Sequence, residues 1–308
     1  MTKPVIGLAL GSGAARGWSH IGIIEVLEEE GIRADVVTGC SIGAFVGAAL
    51  VTGRMQQLHE WAIALDWRNI AGMIDIAFKG GGLIEGRHIE RLMETLEITG
   101  NIEDIETAFA TVATDFVTGR EEWHRSGPIG KTVRASISLP GIFAPVNIGG
   151  EWFVDGGLVN PVPISTCRAL GANLIIAVNL NGDLLGRRSV PLHEDNRNNT
   201  FRDVLAAAAS AIPKSHRSAV INAVDDFLKP KQATPGYFDV LANSINIMQD
   251  RITRSRIAGE PPHVLLTPRL ADMGIFDFDK AEMAIEEGRR CARYALPEIE
   301  RLLNGHRA

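Results

Sequence analysis

From Val5 to Leu10 six apolar residues run without a break and stop at Gly11, the pattern of a strand covered on both faces. Over residues 15–30, Trp18, Ile21, Ile24 and Leu27, joined by Ile23 and Val26, recur at helical spacing. Gly31 then stands where a helix end favours a left-handed residue. Residues 34–38 read as a second strand, so the chain opens with a strand-helix-strand unit, which handedness makes a right-handed parallel crossover. After Gly39-Cys40-Ser41-Ile42-Gly43, the small and apolar residues 44–51 predict a buried helix ending near Gly53.

The same alternation continues. Residues 108–114 and 173–180 read as buried strands and 152–154 as a short one, with helices over 87–96, 129–136 and 164–170. This predicts an α/β fold whose mostly parallel central sheet carries helices on both faces. Residues 181–200 are polar, include His193-Glu194-Asp195-Asn196-Arg197, and read as a long loop or lid. Helices are expected at 201–212, 215–228 and 238–258, a last strand at 263–267, and a helical segment at 279–303 interrupted by Pro297. With no internal repeat, 5–180 form the core and 201–308 a helical part completing the same domain.

Composition narrows the function. The 308 residues are 45% apolar and 22% charged with a net charge of −6, which suits a globular chain and not one that binds nucleic acid, since phosphate contacts need clustered cations. Cys40, Cys167 and Cys291 have no metal-type spacing and predict neither a disulfide framework nor a zinc site. The N-terminal apolar run is too short for a signal peptide, and Asp66, Arg68 and Asp75 break the longest apolar window, 61–78, so the expectation is a cytoplasmic chain without a spanning helix. Peripheral membrane contact through 61–78 or 201–212 stays open, as does the oligomeric state.

Gly39-Cys40-Ser41-Ile42-Gly43 matches the nucleophile elbow, in which a strand turns sharply into a helix and presents a serine hydroxyl above the sheet edge. The strand before it and small-residue helix after it agree; the alternative is a serine that merely caps a buried helix. Gly11-Ser12-Gly13-Ala14-Ala15-Arg16-Gly17 lies in the first strand-to-helix turn, where small residues leave backbone amides free for an anion. Its spacing is not that of a dinucleotide loop, and no acid ends the second strand. Arg16 opposes the helix dipole, so it is a candidate substrate-binding cation, or else a solvated or carboxylate-paired arginine. Asp155-Gly156-Gly157 places an acid at a strand end, though by itself Asp-Gly signals only a turn. The histidines offer no obvious base: His20, His59, His88 and His124 precede Asp155 and His193 and His306 lie in polar segments, while His216 and His263 follow Asp155 but sit, respectively, between Pro213 and a helix and at the start of a strand, where structural or exposed histidines are the rule.

Taken in order, the small-residue loop with Arg16, the Gly-x-Ser-x-Gly elbow and Asp155-Gly156-Gly157 resemble the patatin-like phospholipase family. Residues 81–86, Ala113-Thr114-Asp115, 135–141 and 155–163 also resemble its bacterial branch. The resemblance implies a three-layer patatin-like fold and a serine-aspartate dyad that uses no histidine. Ser41 would be the nucleophile, Asp155 its base, and the amides of Gly13, Ala14 and Ile42 the oxyanion hole. Arg16 would hold the family's basic position, and Gly11, Gly17, Gly39, Gly43, Gly156 and Gly157 its motif glycines. Substrates would be lipid or other acyl esters, with no cofactor or metal; the same fold can also carry an acyltransferase or an inactive lipid-binding protein. The family's loop has three consecutive glycines where this chain reads Ser12, Gly13, Ala14, so a donor needing positive φ at position 14 would be strained.

Overall fold

The computed structural model describes residues 3–66, 84–184 and 237–305. Its first elements are β1 (Ile6–Leu10), a 3-10 turn over Ala14–Trp18, α1 (Ser19–Glu29) and β2 (Val36–Cys40), with β1 and β2 paired in parallel. β2 sits two residues later than the apolar run suggests. Gly39 pairs with Leu10 and Cys40 with Val112, so the ladder runs up to Ser41 instead of stopping at the glycine. α2 (Ile42–Val51) begins at the next residue.

The eight-stranded sheet has the order β5-β6-β3-β2-β1-β7-β8, with β4 also paired to β3. Here β3 is Ala108–Asp115, β4 Glu121–His124, β5 Val146–Ile148, β6 Glu151–Asp155, β7 Leu174–Val178 and β8 Val264–Leu266. β1, β2, β3, β7 and β8 are mutually parallel, while β4 and β6 run antiparallel to β3. The sequence pattern gives no sign of β4 or β5, whose few residues are polar or only half-buried.

One face of the sheet packs Leu8, Leu10, Val37, Ile176 and Val178 against α1, α2 and α8 (Ala281–Gly305). The other sets Ala9, Val36, Ile175 and Ala177 against Ile164 and Cys167 of α6 (Ile164–Ala169). The fold is therefore the three-layer α/β arrangement expected. α8 crosses α1 so closely that a Cβ on Gly22 would overlap Ile285 O and one on Gly288 would overlap Ser19 O. Pro297 does not interrupt α8: the helix runs through it with the ring on the exposed side. The remaining α-helices among the described residues are α3 (Met55–Ile63), α4 (Arg87–Thr95), α5 (Ile129–Ser136) and α7 (Tyr237–Gly259). Expected features over 67–78, 185–200, 201–212 and 215–228 lie outside the described residues. Among those described, no helix is long and apolar enough to cross a membrane.

One feature of the sheet builds the site. β4 occupies one edge of β3 from Thr111 to Thr114, leaving the opposite edge to β2 and β6 in succession. β2 holds it as far as Cys40 opposite Val112, and β6 takes over at Asp155 opposite Ala113. β2 is parallel to β3 and β6 antiparallel, so their C-terminal ends meet head to head along that edge.

Candidate active site

Ser41 stands in the gap between those ends. Its backbone is held at φ 56°, ψ −123°, a conformation that costs a non-glycine residue roughly 1–3 kcal/mol. Its amide donates to Ser136 Oγ at 2.9 Å, and that hydroxyl donates to Val112 O at 2.6 Å, fixing the elbow to β3. Although Ser41 occupies the N-cap position of α2, its side chain makes no capping bond. Instead Oγ donates to Asp155 Oδ2 at 2.7 Å, joining residues 114 positions apart.

Asp155 is the last residue of β6 and is 1% exposed. Its amide donates to Ser138 O, its carbonyl accepts from Thr114 Oγ1, and Oδ1 accepts from the Gly157 amide at 2.7 Å. Burial pushes its carboxyl up from 3.8 to about 6, the hydrogen bonds from Ser41 and Gly157 reversing only part of that rise. Asp155 is thus a carboxylate at neutral pH, yet basic enough to accept a proton. Among the described residues no histidine bonds to either partner: His20 Nε2 meets Gly11 O at 2.9 Å, and His124 packs on Phe153. Burial holds both imidazoles down to about 4.

The glycine loop is anchored at both ends, Ser12 N donating to Pro161 O and Ala15 N to Ile275 O. Between them, the amides of Gly13 and Ala14 donate to no acceptor among the described residues, and neither does that of Ile42 at the start of α2. Ala14 has φ 49°, the left-handed conformation that the departure from glycine made costly. Arg16 is 1% exposed, which excludes the solvated alternative; its Nε donates to Gly13 O at 3.2 Å and its Nη2 to Asn246 Oδ1 at 2.8 Å. The motif glycines sit where backbones nearly touch. A Cβ at Gly11, Gly39, Gly43 or Gly156 would overlap main-chain atoms of Val178, Ala44, Leu10 or Val112, while Gly17 and Gly157 abut Ile42 and Gln249.

A family model described as patatin-like phospholipase matches residues 8–168. The chain belongs to the patatin-like phospholipase family. An NTE family protein of Mycobacterium tuberculosis is 30% identical to this patatin-like chain, over 97% of it and 93% of the relative. Patatin-like phospholipase domain-containing protein 6 of Mus musculus is 32% identical over 58% of this chain, which spans 14% of that protein. The solved structure of VipD from Legionella pneumophila overlaps 99% of this chain and 67% of its own at a TM-score of 0.42 and 15% identity.

Several residues at this patatin-like site carry no mark in the sequence. Ser136 and Ser138 lie in a stretch shared with the family, but nothing in their spacing assigns one to the Ser41 amide and the other to the Asp155 amide. Arg134, 2% exposed, ties Ser138 Oγ to Glu85 O and Ala144 O. Gln249 and Asn246 come from α7, beyond the matched residues.

Proposed function

We propose that the protein is a serine acyl-ester hydrolase acting on lipid esters through a Ser41-Asp155 dyad. The observation that carries this reading is the 2.7 Å bond from Ser41 Oγ to Asp155 Oδ2, made by a serine at a strained strand-to-helix turn and a buried carboxylate. Asp155 accepts the Ser41 proton as Oγ attacks the ester carbonyl carbon. The carbonyl oxygen becomes an oxyanion, to which the amides of Gly13, Ala14 and Ile42 donate; the N-terminus of α2 adds its dipole. Collapse of the tetrahedral adduct expels the alcohol, which takes the proton from Asp155 and leaves an acyl-Ser41 ester. Water, deprotonated by Asp155, then releases the acid. Family membership supports lipid esters as the substrate class.

Rates of acyl-ester hydrolysis by wild type, Ser41→Ala and Asp155→Asn test the reading, with fluorophosphonate labelling of Ser41 as a second measure. Wild type is expected to turn over and to be labelled, Ser41→Ala to do neither, and Asp155→Asn to lose at least two orders of magnitude in rate, at the lower end of the general-base range. Equal rates from all three end the proposal.

A further inference from the structure

α7 lies outside the family-matched residues, yet its polar face reaches the glycine loop and the strand end that carries Asp155. Gln249 is 5% exposed; its Oε1 accepts from Ser12 Oγ at 3.0 Å and from Asn181 Nδ2 at 2.9 Å. Its Nε2 lies against Gly157, whose amide holds Asp155 Oδ1. One turn earlier on the same face, Asn246 accepts from Arg16, and Arg16 donates onward to Gly13 O. Farther along, Arg256 Nε donates to Val159 O and its Nη2 pairs with Glu121 Oε2 at 2.5 Å, tying α7 to the segment just after Asp155. Both flanks of the Gly13-Ala14 segment are therefore bonded through side chains to a single helix.

We propose that Gln249 and Asn246 are positioning residues: they clamp the glycine loop so that the Gly13 and Ala14 amides keep their aim. The inference rests on the hydrolase reading for its catalytic consequence but not for its structural content. A strained residue keeps its conformation only when its surroundings over-determine it, and Ala14 at φ 49° needs such support. Ser12 supplies it through the hydroxyl that Gln249 holds, a grip that a glycine at this position could not offer. Residues 12 and 14 are then one device, a hydroxyl for α7 to grip and a strained alanine that the grip keeps in place. Leucine at 249 fills the same space but leaves Ser12 Oγ and Asn181 Nδ2, both buried, without an acceptor.

Steady-state ester hydrolysis and hydrogen exchange of the segment containing residues 11–18 test this on Gln249→Leu, Asn246→Leu and Ser12→Ala. Losing one oxyanion donor lowers turnover about 10²–10³-fold, so misaiming the loop is expected to lower kcat roughly 10- to 100-fold while KM moves less than about threefold. The Ser12, Ala15 and Arg16 amides, which are hydrogen-bonded on either side of Gly13 and Ala14, are expected to exchange faster, with the remainder of the protein unchanged. Ser12→Ala breaks the clamp from the loop side and must reproduce the loss even where Gln249→Leu fails to fold. The double variant Ser12→Ala/Gln249→Leu, which removes both ends of one bond, is expected to cost no more than the larger of its two singles. Unchanged loop exchange, or kcat losses that add in the double variant, overturn the clamp. A wild type inert to esters and fluorophosphonate overturns the hydrolase reading alone, because exchange needs no turnover.

Discussion

Ala14 and Ser41 hold φ angles of 49° and 56°, whereas none of Gly11, Gly17, Gly39, Gly43, Gly156 and Gly157 lies in the left-handed region. The glycines are there for close approach, and the strain is carried by residues with side chains. For Ser41 the side chain is the proposed nucleophile. For Ala14 it is not, so Ala14→Gly is expected to stabilise the protein by about 1 kcal/mol, the relief of left-handed strain outweighing the looser unfolded chain. Urea denaturation measures it, and a fall in stability would show that the methyl group is worth more than the strain. Ser136 acts on the other strained residue. Ser136→Ala leaves the Ser41 amide and Val112 O without their shared hydroxyl, at a cost of about 1–3 kcal/mol, and kcat is expected to fall while KM holds. A variant that loses stability with kcat intact would reduce Ser136 to an ordinary core bond.

Among elements, the parallel strands were legible because each is a short apolar run bounded by glycine or a turn. The pairing that makes the site was not. Nothing in residues 151–155 states that β6 takes the edge of β3 which β2 vacates at Cys40, so the elbow pattern pointed to Ser41 while Asp155 could be joined to it only through family resemblance. Glu121 was equally silent, since its Asn160 and Arg256 partners come from two segments far along the chain. The α1–α8 crossing was hidden for a related reason: Gly22 and Gly288 look like weak points within helices. In an exposed helix, Gly288→Ala would add about 1 kcal/mol of stability. Here the added methyl overlaps Ser19 O, a backbone atom that cannot rotate away, and the variant is expected to lose about 1–3 kcal/mol or more. Thermal melting decides the sign, and a higher Tm would mean that the two helices separate freely.

For the molecule as a whole, pH links the site to the fold. In the proposed mechanism Asp155 must be ionised to take the Ser41 proton, so kcat/KM is expected to fall as pH drops through about 6, and a profile still flat at pH 5 would contradict the buried base. The same shift bears on stability. Because the folded pKa lies above the unfolded 3.8, the native state binds the proton more tightly, and stability falls as pH rises from about 4 to about 6. His20 and His124 act oppositely: buried and neutral with pKa values near 4, they favour the fold less as pH falls below 6.5 and the unfolded chain takes up protons. A wild-type profile therefore mixes both trends, and the difference between wild type and Asp155→Asn isolates the carboxylate. Asparagine carries no charge to bury, so the variant is expected to be the more stable by about 2–3 kcal/mol at pH 7, the advantage vanishing below about pH 4. Chemical denaturation across that range measures it. A constant difference would mean that Asp155 affects stability through its hydrogen bonds, and a variant weaker than wild type at pH 7 would mean that the bonds to Ser41 and Gly157 offset the burial of the charge.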